Sequence, residues 1–330
     1  MLLWAPPGGR ADELAEVVGA RRHSLTALYG PRYFAPFRYA VLFFRTLVLL
    51  IRERPDVVYA QNPPVFCPLT SLLYCRVARK RLVIDHHCVW RIKTISGAMG
   101  RPIGFFEEFA DRAAYANTTP HSVWAAHLRA MGARRVLVVH DYVAGSGYKR
   151  DENVRRKYVK GGFLAIASHG GHPLERIESE MQAAGAVEGL TLVVTGPEAK
   201  LGSRLSRFPS IPNVRYLGML PMREYLALEA SCDFALNITD EPYTLSHAIF
   251  EYVANSLPVI SSRQEVVEEV FGDSVLYVDD SSPNAVASKI IELLNSPSLL
   301  EALRVKLSAK QVQLEAERHE EISRLMSLMS

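Results

Sequence analysis

The chain is poor in cysteine, and its few cysteines form no recognisable set. Cys67, Cys75, Cys88 and Cys232 make no C-x-x-C pair and no metal-ligand spacing. That excludes a disulfide scaffold and a cysteine-based metal site, and it leads us to expect reduced thiols in a cytoplasmic protein. Uncharged apolar runs of about 18 residues or more are missing, so no conventional membrane-spanning helix is expected. Met1–Ala5 lacks the basic region and long apolar core of a signal peptide. There is no Lys/Arg-rich block with interleaved aromatics, and the formal charge of +3 is only 38 basic over 35 acidic groups. Nucleic acid is therefore not an expected partner. What the chain does have is core material: 48% of its 330 residues are hydrophobic and 22% charged. That is enough for about two domains.

The hydrophobic pattern alternates. Short β-branched runs at Leu2–Ala5, Ser24–Leu28, Val57–Ala60, Arg81–Ile84, Asn117–Thr119 and Val136–His140 are separated by helix-like stretches. A glycine-punctuated, charged segment follows. The alternation then restarts at Phe163–Ala167, Leu190–Thr195, Val214–Leu217, Phe234–Ile238, Pro258–Ser261 and Val275–Val278. Strands separated by helices imply crossover units and parallel sheets. The expected architecture is α/β, with two Rossmann-like parallel-sheet domains facing a cleft. The expected division is 1–145 for an acceptor-binding domain, 146–162 for a linker, 163–300 for a nucleotide-sugar domain and 301–330 for C-terminal helices. In such sheets ligands gather at the carboxyl ends of the strands. The helix around Phe34–Ile51 has two readings. It is a core helix whose Arg38 and Arg45 snorkel to the rim, or an interfacial helix whose arginines meet anionic head groups at a membrane surface.

Three clusters carry chemistry. The first is the turn into a helix at Asp240–Glu251. Ser246 and His247 stand at the helix start, where unpaired N–H groups favour phosphate. Glu251, one turn on, can accept from both hydroxyls of a ribose. Taken alone, Ser246 is equally a helix cap and Glu251 an ion-paired surface residue. The second cluster sits after two strands of the first half: Gln61-Asn62-Pro63-Pro64, and Ile84-Asp85-His86-His87. Asp85 and His87 would meet a sugar hydroxyl there, with Glu107 as a further acid. The third is a pair of glycine loops, Gly8-Gly9-Arg10 and Gly170-Gly171-His172, which let backbone approach a phosphate. Neither loop is a G-x-G-x-x-G or Walker pattern, so neither points to NAD or ATP.

The first cluster resembles the donor site of glycosyltransferases of the GT-B fold. The matching residues are Glu241-Pro242-Tyr243 and Glu251-Tyr252-Val253-Ala254-Asn255-Ser256-Leu257-Pro258-Val259, with Thr195-Gly196-Pro197 and Asn213–Gly218 in the expected order. Nine residues separate the two glutamates where that family has seven, and Ala248 stands where longer-looped relatives carry a basic residue. The resemblance implies donor contacts from Glu251, Glu241, Ser246, His247, Gly170, Gly171, His172 and Gly196. Arg263, His247 and the His169–His172 loop are its candidates for the diphosphate. The second cluster resembles the chitobiosyldiphosphodolichol β-mannosyltransferase family, through Gln61–Pro64 and Ile84, Asp85 and His87. This implies transfer of a sugar, mannose from GDP-mannose first, to a lipid-linked or other glycan acceptor at the cytoplasmic face of a membrane. It also implies that no metal or other cofactor is needed, and that a C-terminal tail packs back on the first domain. Three alternatives remain from sequence: a retaining enzyme using a UDP-sugar, a nucleotide-sugar 2-epimerase of the same fold, and a non-catalytic subunit binding a membrane partner through residues 34–52.

Overall fold

The computed structural model describes residues 1–5, 10–26, 34–86, 100–143, 145–159 and 161–329. The chain divides into two units, Met1–Asp141 with Glu317–Ser330, and Tyr142–Ala316.

The first unit runs β1 (Leu2–Leu3), α1 (Arg10–Val17), β2 (His23–Ser24), α2 (Ala35–Glu53), β3 (Val57–Asn62), α3 (Phe66–Ala78), β4 (Arg81–His86), α4 (Gly100–Ala113), β5 (Ala116–Thr119), α5 (Ser122–Ala130) and β6 (Val136–Val138). All strands are parallel in the order β2-β1-β3-β4-β5-β6, so the order reverses between β1 and β3. The strands β3 and β4 are buried almost end to end, as expected of a sheet covered on both faces. On one face α2, α3 and α4 pack through Leu42, Leu50, Leu72, Cys75, Ala110 and Ala114. On the other, α1 packs through Ala11, Leu14 and Ala15. The helix α2 buries only Leu42, Thr46 and Leu50, one residue per turn on one side. Thr46 is held by the Trp4 indole N–H at 2.9 Å.

The second unit runs α6 (Glu152–Arg156), β7 (Phe163–Ser168), α7 (Ile177–Gly185), β8 (Leu190–Thr195), α8 (Glu198–Leu205), β9 (Val214–Gly218), α9 (Met222–Ala230), β10 (Phe234–Asn237), α10 (His247–Ala254), β11 (Val259–Ser262), α11 (Glu265–Phe271), β12 (Leu276–Val278) and α12 (Pro283–Leu294). Its order is β12-β11-β10-β7-β8-β9, again all parallel. Counted from its own first strand this is the 3-2-1-4-5-6 winding, which reverses between β7 and β10. The segment read as a linker is bonded into this unit: Arg150 and Arg155 pair with Asp233, and the Asp151 N–H donates to Ser231.

The tail is a single helix, α13 (Pro297–Met329), not several. Its last residues belong to the first unit. There Leu325 is buried, Arg318 bonds Glu13 and the His140 carbonyl, and Glu321 bonds His140. Among the described residues no helix is long and apolar enough to cross a membrane. Cys67, Cys75 and Cys232 are free and buried, and burial pushes the Cys75 thiol up to about 12.

Candidate active site

In the second unit, polar groups converge at the carboxyl ends of β7 and β8, beside the strand-order reversal. Ser168, the last residue of β7, accepts from Thr195 at 2.9 Å and lies 3.1 Å from the Tyr225 hydroxyl. Tyr225 on α9 donates to Glu251 on α10 at 2.8 Å. His247, one turn before Glu251, has its Nε2 3.8 Å from the other carboxylate oxygen. Glu251 is therefore oriented by a neutral hydroxyl, and its side chain keeps 18% of its surface in contact with solvent. Burial pushes the Tyr225 phenol far above its ordinary range, with Tyr252, Glu229 and Glu251 adding to the effect. It stays a donor at any working pH. The helix α10 has Ser246 at its N-cap, yet no side chain caps it. Its first N–H groups are thus left for something else.

The loops on both sides of the reversal are tied together by a buried acid. Glu180 on α7 reaches His169 after β7 at 2.6 Å and the Ile238 N–H after β10 at 2.9 Å. Burial disfavours the charged His169 ring, but Glu180 and Glu175 outweigh it and raise the imidazole to about 10. The N–H groups of Gly170, Gly171 and His172 all donate to the Glu175 carboxylate at 2.9 Å. This loop is an anion nest already filled from within. Gly171 has φ +81, and a Cβ on it would meet the Lys200 side chain. Gly196 has φ +151, and a Cβ there would fall 2.5 Å from the His169 carbonyl oxygen. It is a close-approach glycine that lets the β8 turn pass under the β7 loop.

In the first unit the strand ends carry buried charge. Arg10 is 1% exposed and Asp85 0%. The guanidinium bonds Asp85 at 3.1 Å and Asp141 at 2.7 Å. Asp85 also accepts from Thr118 at 2.8 Å. Beside it, His86 is ion-paired to Asp111 at 3.2 Å and lies 3.3 Å from the Asn117 side-chain oxygen. Burial works against its charge, but Asp111 and Glu107 prevail and lift it to about 9. Next to this network is a mainly apolar cavity of about 410 Å³, lined by residues of α2, α3 and α4 and the Asn62–Val65 turn. Glu107 lines it, 8% exposed, and accepts from the Asn62 amide at 2.6 Å. The Asn62 side-chain oxygen is buried with no partner, a cost of about 1–3 kcal/mol unless a ligand meets it.

The sequence-predicted residues thus separate. Glu251, Ser246 and His247 share one helix start. Glu241 lies 4% exposed in the loop before it, its N–H donating to Thr239. Arg263 is exposed and spent on Asp279 and Glu268. Asp85, expected near a sugar, is closed off by Arg10, and Arg10, expected in a phosphate loop, is buried against it. His87, Gly8 and Gly9 lie outside the described residues. Sequence reasoning missed Tyr225, Glu180 and Glu175 as parts of these clusters. Glu175 and Glu180 carried a usable signal, two acids closely following a Gly-Gly loop. Among the described residues, no group of three His, Cys, Asp or Glu side chains is placed to hold a metal.

Two family models match, one described as a glycosyl transferase 4-like domain over residues 1–141 and one as glycosyl transferase-like over residues 176–329. No curated protein matches the chain. Among solved structures, the Anabaena protein HepE in complex with UDP-glucose is similar, with a TM-score of 0.76 at 15% identity, over 99% of this chain and 91% of that one. Sucrose-phosphate synthase from Thermosynechococcus elongatus gives 0.76 at 13% identity, over 99% and 98%. A glycosyltransferase from Rickettsia africae gives 0.68 at 12%, over 96% and 88%.

Proposed function

Because the chain is a glycosyltransferase of the GT-B fold, we propose that it moves a hexose from a nucleoside-diphosphate sugar to a hydroxyl of a lipid-linked acceptor. The second unit takes the donor. Glu251 accepts from the ribose diol, and the uncapped start of α10 faces the diphosphate with its N–H groups and partial positive charge. The observation that carries this assignment is the oriented, partly exposed Glu251 beside an uncapped helix start at the strand-order reversal.

The first unit takes the acceptor. Its cavity is mainly apolar, with Glu107, Asn62 and Tyr39 also in its wall. An acceptor hydroxyl there donates to Glu107, and the unpartnered Asn62 oxygen holds a second hydroxyl. As the acceptor oxygen bonds to the anomeric carbon, Glu107 takes the hydroxyl proton. The bond from that carbon to the phosphate oxygen breaks, and its electron pair leaves with the nucleoside diphosphate, whose charge the α10 terminus stabilises. This displacement inverts the anomeric centre. Asp85 is not the base in this scheme, because Arg10 already holds its carboxylate. It positions the loop instead.

Two donors come first. UDP-glucose is favoured by its presence in HepE, and GDP-mannose by the first-unit turn motif. The test is incubation of the purified chain with UDP- and GDP-sugars and a polyprenyl-diphosphate glycan, following nucleotide release and the mass of the lipid. A hexose mass shift with one donor, lost in Glu251→Ala, is the expected result. Nucleotide release that is equal in Glu251→Ala, or no turnover of any donor, overturns it.

A further inference from the structure

The outer side of the α2–α3–α4 layer is apolar where a soluble surface is usually polar. On α2, Phe37, Phe44, Val48 and Ile51 recur at helical spacing and are 59–66% exposed. Leu73 and Val77 continue the surface on α3, and Phe105, Phe106 and Phe109 on α4. The three helices adjoin, α2 on α3 and α3 on α4. Contiguous apolar area of this kind marks an interaction site. On α4 the exposed Glu108 is paired with Arg112, and on α2 and α3 the charge has one sign. Arg38, Arg45, Arg52 and Arg76 stand on α2 and α3, and the only acid there is Glu53, which is paired with Arg21. The arginines Arg54 and Arg79 cap the two helices. Arg76 lies over the Phe109 ring at 5.6 Å. Between α2 and α3 runs a groove of about 540 Å³ lined by Leu47, Ile51, Leu73 and Val77, with Arg54 and Lys80 also in its wall.

We propose that this layer docks on an anionic lipid bilayer, its aromatic and aliphatic side chains entering the interface and its arginines meeting the head groups. Apolar side chains next to unopposed cations match acyl chains next to phosphates. A second copy of the chain does not fit this charge, because two such faces would set arginines against arginines. The inference rests on the proposed lipid-linked acceptor for its purpose: the same three helices line the cavity that holds Glu107. Docking would bring that cavity to the surface in which such an acceptor is anchored.

The experiment is flotation of the full chain with vesicles of phosphatidylcholine alone or mixed with phosphatidylglycerol, at low and high salt. The wild type is expected to float with the anionic vesicles and less so as salt rises. Each of Arg45→Ala and Arg52→Ala should lower partition about five-fold. The double substitution Phe44→Glu with Val48→Glu should abolish it. Met222→Glu, at an exposed methionine of the second unit, should change nothing. Calorimetric titration with the nucleotide sugar should be the same for all of these chains, which shows them folded. Failure of the wild type to float, unchanged flotation of the Phe44/Val48 variant, or a dimer that this variant dissociates would overturn the docking face. Flotation without sugar transfer would leave docking standing and remove the proposed function.

Discussion

The two units share a parallel sheet with helices on its faces, and each buries an imidazole–carboxylate pair at the carboxyl ends of its strands, yet they differ in what else stands there. In the first unit those ends hold ionised groups that neutralise each other in the dark: Arg10 with Asp85 and Asp141, and His86 with Asp111. The opening beside them is mainly apolar, with one acid, one amide and one phenol in its wall. In the second unit His169 and Glu180 form a buried pair of the same kind, but the ends of β7 and β8 also hold hydroxyls, Ser168 and Thr195, which with Tyr225 of α9 group on a carboxylate that is 18% exposed. A charge that must bind a ligand has to remain partly solvated and be aimed by neutral donors. A charge that holds a loop can be buried, provided that its partner is buried with it.

The comparison breaks most readily at Glu107. If Glu107, the acid in the cavity wall, is the base, Glu107→Gln should lower turnover roughly 10²–10⁴-fold while donor affinity in the second unit is unchanged. An equal loss of donor affinity would show that the acid serves the fold of the chain and not the acceptor. Asp85 gives the next largest effect, of a different kind. Asp85→Ala leaves Arg10 buried with only Asp141, which costs roughly 3–5 kcal/mol of stability. All three tryptophans, Trp4, Trp90 and Trp124, lie in the span of the first unit. Their emission therefore reports its melting alone. An unshifted tryptophan transition with lost turnover would return Asp85 to a catalytic role. Glu251→Ala should weaken donor binding by roughly ten- to a hundred-fold, the value of one or two charged hydrogen bonds at 1.5–3 kcal/mol each, with the tryptophan transition unmoved.

The same contrast explains what the sequence makes legible. Each of the twelve strands seen overlaps a run picked out by β-branched residues, because a strand buried on both faces needs an apolar run and nothing else supplies one. Glu251 is readable because its helix turns directly into the next strand, and its position there is set by local spacing. Asp85 was readable as a strand-end residue but not as a spent one. Its partner Arg10 is 75 residues away, and only the return of the chain from β1 to β4 brings them together. The glycine loop misled for a similar reason. Its N–H groups do form an anion nest, but Glu175 a few residues on already fills it. Helix α2 was ambiguous between core and surface because it is both. Leu42, Thr46 and Leu50 face the sheet, while Phe44 and Val48 on the same turns do not.

The gentlest test uses pH, and it separates the units by their buried imidazoles. His86 in the first unit is raised to about 9, and His169 in the second to about 10, from an unfolded value of 6.5. A group raised on folding binds its proton more tightly in the native state. Its contribution is therefore complete below pH 6.5 and is lost as pH rises through the folded value, at up to about 1.4 kcal/mol per pH unit for each such proton. Tryptophan-reported melting should then fall between pH 6.5 and 9, and the raised Cys67, Cys75 and Tyr59 carry the fall further above that. The second unit should go on weakening to pH 10. There burial also raises Glu229 to about 7, and that acid's contribution is lost between pH 4.5 and 7. On the acid side Glu175 is held below its usual range. Burial opposes this shift, but His169 and the loop amides outweigh it, so its contribution fades below pH 4.5. His86→Gln should flatten the tryptophan profile and leave the second unit's slope intact, and His169→Gln should do the reverse. A tryptophan profile that keeps its slope in His86→Gln would mean that the proton is held elsewhere in the first unit, and that its strand-end charges are not the closed set that the Arg10 and His86 pairs describe.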